Sequence, residues 1–83
     1  MATTDSNGED IWRRFEELLG SERLSNKIAA VLDLKSPKYP YVLRRDGWPI
    51  YAETMLELME SLPRQRWPLA LRHRIETAST PGA

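Results

Sequence analysis

Pro37, Pro40, Pro49, Pro63 and Pro68 stand between runs of apolar residues, and this punctuation leaves room for short helices and little else. A proline lacks the amide donor and clashes with the preceding turn, so it opens or closes a helix and is rarely carried through one. Ahead of the first of them, Ile11, Trp12, Phe15, Leu18 and Leu19 recur on one helical face, with Gly20 as a left-handed stop. Ser6 and Glu9 have capping-box spacing at the front of this helix. Leu24, Ile28, Val31 and Leu32 repeat the period behind a cap at Ser21 or Ser25, and Ala29 and Ala30 favour the same conformation. That second helix should end near Leu34, because Pro37 disfavours helical geometry in Ser36. A turn from Lys35 to Tyr39 follows, then a short third helix from about Tyr39 to Arg45, opened by Pro40 and ended by Asp46-Gly47.

Pro49 and Pro63 bracket a fourth helix with Tyr51, Met55, Leu58, Met59 and Leu62 as its apolar stripe and Glu53, Glu57 and Glu60 toward water. Pro68 opens a last one carrying Leu69, Leu71, Arg72 and Ile75. No run alternates apolar and polar residues as a strand does. The expected fold is all-α, a compact bundle of four to five helices containing a helix-turn-helix. It occupies residues 9–76, between disordered segments at 1–8 and 77–83.

At 83 residues the chain is near the lower limit for a self-sufficient core, so one domain is the most it can form. It contains no cysteine, which excludes disulfides and thiolate metal sites and fits a reducing compartment. No apolar run approaches the roughly 18 residues a membrane helix needs. The polar, acidic start is unlike a secretory signal. The expected setting is therefore cytoplasmic, in a bacterial or phage-type protein.

Net charge is zero, but it is segregated: residues 1–22 carry −4, residues 23–47 carry +4, residues 48–63 carry −3 and residues 64–83 carry +3. A polyanion meets local potential rather than the sum. Catalysis has no residues behind it. The single histidine, His73, lies among arginines with no second ligand at metal spacing, and the scattered glycines form no phosphate-binding loop. The expectation is a protein that is not an enzyme and needs no cofactor, metal or small-molecule substrate.

The stretch from Lys35 to Arg45 is different, with four cations and two tyrosines in eleven positions. A small Ala29 in one helix, a tight turn and a short basic helix are what presents side chains to a major groove. Ile28, Leu32, Leu34 and Val42 would set the crossing angle. Lys35, Ser36, Lys38, Tyr39, Tyr41, Arg44 and Arg45 would supply donors, joined by Lys27 from the preceding helix. Lysines and tyrosines suit phosphates, and an arginine can grip guanine O6 and N7.

Residues 24–62 resemble the Cro and λ-repressor-like helix-turn-helix superfamily, especially its small phage and plasmid regulators. Ile28-Ala29 stands where that superfamily has its second-helix alanine. Val42-Leu43-Arg44-Arg45-Asp46-Gly47 stands for the third helix and its glycine, and Trp48-Pro49-Ile50 for the proline-led start of a long fourth helix. The resemblance implies a sequence-specific regulator of transcription, such as a repressor, that binds double-stranded DNA. Two departures accompany it: Asp33 occupies the usual turn glycine, and Pro37 and Pro40 lengthen or stiffen the turn. Either Tyr39 and Val42 or Pro40 and Leu43 would be the buried pair of the third helix. A homodimer through helix four or five, using Leu56 or the group Leu69, Leu71 and Ile75, would match a two-fold operator. The alternative is a small protein-binding adaptor or phage-type inhibitor acting through its acidic faces: Glu53, Glu57 and Glu60, or the N-terminal segment.

Overall fold

Left-handed backbone at Gly20, where φ is +84°, closes the first helix, and the Gly20 amide donates to the Glu16 carbonyl at 2.8 Å. The structure, a computed structural model, describes residues 3–79, with side chains from residue 8 onward. Five helices fill that range: α1 (Thr3–Leu19), α2 (Leu24–Leu32), α3 (Tyr39–Asp46), α4 (Ile50–Ser61) and α5 (Leu69–Ser79), with a 3-10 turn at Arg64–Arg66 before α5. No strand occurs among the described residues. The Cα radius of gyration is 12.4 Å, close to the ~12 Å of a compact chain this long.

Both flanking segments differ from expectation. α1 already runs from Thr3, so Ser6 lies inside the helix and residues 3–8 are helical; residues 1 and 2 lie outside the described range. α5 continues to Ser79, beyond the expected domain edge at 76, and residues 80–83 lie outside the described range.

Neither Ser21 nor Ser25 caps α2. The capping residue is Arg23, held at φ 52°, and Ser25 is buried within the first turn. The strain at Arg23 is offset by a tertiary contact, for its Nε donates to the Ala78 carbonyl near the end of α5 at 3.0 Å. Cations are favoured at a helix C-terminus, where carbonyls lack amide partners. α2 then stops at Leu32, two residues early, because Asp33 takes φ 58° and the Leu34 amide turns back to the Ala29 carbonyl at 2.8 Å. This is a Schellman closure with aspartate in the position glycine usually fills.

The core is built by Ile11, Phe15 and Leu19 of α1, by Leu24, Ile28, Val31 and Leu32 of α2, by Ala52, Leu56 and Met59 of α4, and by Trp67, Leu71 and Ile75. α5 packs chiefly on α2, and α1 packs chiefly on α3. The buried face of α4 is turned from the expected stripe: Tyr51 and Leu58 are half exposed, while Leu56 is fully buried. Met55 and Leu62 pack at the edge of the core. The indole Nε1 of Trp67 donates to the Met59 carbonyl at 3.0 Å, fixing the 3-10 turn against the end of α4. No helix among the described residues is long and apolar enough to cross a membrane.

Candidate nucleic-acid interface

α3 is short and contributes one buried residue, Pro40, so its position depends on how its inner side is fastened. The fastening comes from the front of α1. Gly8 lies so close to α3 that a Cβ there would sit 2.5 Å from the Arg44 carbonyl oxygen. The Trp48 indole, just after α3, donates to the Gly8 carbonyl at 2.9 Å. Arg44 makes two bonds to the Glu9 carboxylate, Nε at 2.9 Å and Nη2 at 3.1 Å, and lies over the Trp12 ring at 4.6 Å. The hydrogen bond from Arg44 holds the Glu9 carboxyl below its ordinary range, and the same bond pushes the Arg44 guanidinium up. Tyr41 rests its ring 5.4 Å from Trp12.

At 3.6 residues per turn, Pro40, Leu43, Arg44 and Gly47 fall on the attached side of α3. Lys38, Tyr41, Val42 and Arg45 fall within about 100° on the other. The buried third-helix pair is therefore Pro40 with the half-buried Leu43. Val42, expected to set the α2–α3 crossing, is 37% exposed and belongs to the outward stripe.

The expected DNA-contacting residues divide accordingly. Lys27 is buried, and its Nζ donates to the Leu19 carbonyl at 2.8 Å; it closes the end of α1 and faces no solvent partner. Arg44 is engaged with Glu9 and Trp12, so it works as a clamp between α1 and α3 and not as an outward donor. Ser36 shapes the turn, its Oγ accepting from the Lys38 amide at 3.1 Å. Lys35, Lys38, Tyr39, Tyr41 and Arg45 are exposed. Among the described residues no carboxylate lies within ion-pair distance of Lys35 or Lys38. Arg45 meets only its neighbour Asp46, with Nε at 2.9 Å from Oδ1, and its side chain stays 73% exposed. That hydrogen bond lowers the Asp46 carboxyl and raises the Arg45 guanidinium.

The corner is thus less positive than segment charge implies: Lys35, Lys38 and Arg45 stand beside Asp33 and Asp46. Sequence reading missed the parts played by Gly8, Glu9 and Trp12. Glu9 read as a capping residue and Trp12 as core, and no local pattern reveals that both face a helix more than thirty residues away. Among the described residues no group of three His, Cys, Asp or Glu side chains is placed to hold a metal ion.

Compared with protein-family models, curated proteins and solved structures, the chain matches none.

Proposed function

We propose that the protein binds double-stranded DNA by laying the outward stripe of α3 in the major groove, and that it acts as a cytoplasmic regulator of transcription. The observation that carries the reading is the composition of that stripe. Lys38, Val42 and Arg45, flanked by Tyr41 whose ring rests on Trp12, combine a phosphate donor, a base-edge donor and a small branched apolar group on one side of a helix attached to α1. Arg45 suits guanine and Val42 suits a thymine methyl, while Lys35, Lys38 and Tyr39 at the helix entrance suit backbone phosphates. The resemblance of residues 24–62 to the Cro and λ-repressor-like superfamily supports the same arrangement. So does Asp33, whose left-handed backbone occupies the place of the turn glycine.

The adaptor reading finds less support. Glu60 is taken by Arg14, with Nη2 to Oε1 at 2.6 Å, and Glu9 by Arg44, so part of each acidic face is already neutralised within the chain.

Binding to duplex DNA across a salt series tests the proposal. Each neutralised phosphate contributes about −0.9 to the slope of log K against log salt, so Lys35 and Lys38 give about −1.8. Affinity should then fall roughly 12-fold between ~50 and ~200 mM salt. Lys38→Ala should make the slope shallower by about one phosphate, while Arg45→Ala should weaken binding by about 1–3 kcal/mol and relax the preference for guanine. Affinity indifferent to salt and to both substitutions would overturn the reading.

A further inference from the structure

We infer that the cavity between the 3-10 turn and α5 binds a small phosphate-bearing anion, held by the guanidinium groups of Arg64 and Arg72. Leu56, Leu71 and Ile75, expected as contacts of a homodimer, are buried in the core, and what α5 presents beside them is a charged edge. Arg72 follows Leu71 and is half buried, and Arg64 reaches the same place from the turn. Together with Trp67, Ile75 and Glu76 they line a cavity of about 260 Å³.

Nε of Arg72 carries the argument. It is buried and has no hydrogen-bond partner among the described residues. Arg14, Arg23, Arg44 and Arg45 each donate from Nε to an oxygen of this chain, so Arg72 departs from the pattern around it. A guanidinium keeps its charge, and a charged donor withdrawn from water is costly until an acceptor meets it. Among the described residues no carboxylate lies within ion-pair distance of Arg72 or Arg64. The second guanidinium is held in place: Cζ of Arg64 lies 5.5 Å from the Trp67 ring centre, and that ring is fixed by its own bond to the Met59 carbonyl. The ring contact steadies the cation and gives no oxygen to its N–H groups.

Guanidinium forks match oxyanions, and two of them from different elements match a group with more than two acceptor oxygens. A phosphate has that number, whereas one fork satisfies both oxygens of a carboxylate. Glu76 on the wall opposes any anion, so a single guanidinium would not suffice, and the pair leaves the cavity with a positive surplus. The volume lies just below the ~300–1,000 Å³ of ordinary small-molecule sites, which fits phosphate itself or a phosphate monoester of few further atoms. A duplex backbone runs over a surface and would not reach the buried Nε. The inference does not rest on the DNA reading, and its main test contains no DNA.

Proton–nitrogen correlation spectra that resolve arginine Nε–H groups read the orphaned donor directly. Titrating inorganic phosphate at constant ionic strength should move the Arg72 and Arg64 signals along one saturating curve, half complete at roughly 1 mM. Arg45, exposed and paired with Asp46, should show no saturation. Arg72→Lys keeps the charge and removes Nε, and should weaken the response at Arg64 at least ~10-fold. Arg64→Gln, at an exposed position outside the core, should do the same to the Arg72 signal, with far-UV circular dichroism showing the helices intact. Acetate at equal ionic strength should bind at least ~10-fold more weakly than phosphate. An Arg72 signal that does not saturate, an equal response at Arg45, or an affinity unmoved by both substitutions would overturn the inference. So would acetate binding as tightly as phosphate, or an Arg72 signal that moves with duplex DNA and not with phosphate.

Discussion

Arg44 and Lys27 show how a cation's role is decided by what faces it. Both lie in the basic segment, yet one grips Glu9 across to α1 and the other closes the C-terminal end of α1 through the Leu19 carbonyl. The Glu9–Arg44 pair is exposed, so its contribution depends on geometry and is readily screened. Its pH dependence nevertheless has a definite sign. Pairing lowers the Glu9 carboxyl in the folded state, so the unfolded state binds more protons in the acid range. The contribution is fully present above the ordinary carboxylate range and is lost as acidification carries the pH through the lowered folded value. Glu9→Gln should therefore lower the midpoint of thermal unfolding at neutral pH. The gap to the unmodified protein should close as the pH falls below the ordinary carboxylate range. A gap that persists in strong acid would show that the carboxylate charge is not what holds Arg44.

The helix ends marked by glycine or proline were the most legible, because Gly20, Gly47, Pro40, Pro49, Pro63 and Pro68 act through local backbone sterics that no tertiary contact needs to supply, whereas the unmarked ends of α1, α2 and α5 were misplaced. Helix faces were less so. α4 carries apolar residues on both sides, and its buried side includes the small Ala52, so a pattern of large residues points to the wrong phase. Arg23 as the cap of α2 was illegible for a different reason, since its stabilising partner is the Ala78 carbonyl. The candidate site was half legible: Lys35, Lys38, Tyr39, Tyr41 and Arg45 are exposed as expected, whereas Arg44 and Lys27 were diverted by partners distant in sequence. Gly8 offers the sharpest test at this scale. Alanine in its place would raise helix propensity by about 1 kcal/mol. Its Cβ would also meet the backbone oxygen of Arg44, and forced overpacking of this kind costs about 1–3 kcal/mol. Gly8→Ala should thus leave the protein no more stable in urea, or less stable by up to about 2 kcal/mol, despite the better helix former. A clear gain would show that α1 and α3 are not in contact there.

The molecule as a whole is neutral because its twelve cations match its twelve acids, and two of the ion pairs, Glu9 with Arg44 and Glu60 with Arg14, join different helices. Cohesion depends more on the α2–α5 seam, where Leu71 and Ile75 close over a helix some fifty residues earlier. A domain this small has only ~5 kcal/mol to lose. Leu71→Ala should cost about 2–4 kcal/mol in denaturant unfolding and leave little folded protein at elevated temperature. Leu69→Ala, two residues away and 73% exposed, should change stability by less than ~0.5 kcal/mol. The same seam governs the order in which the protein can be made. While residues beyond Pro68 are still being synthesised, α2 lacks its α5 cover and Arg23 lacks the Ala78 carbonyl. A chain made only as far as Pro68 is therefore an incomplete bundle, and α5 is the element that seals it.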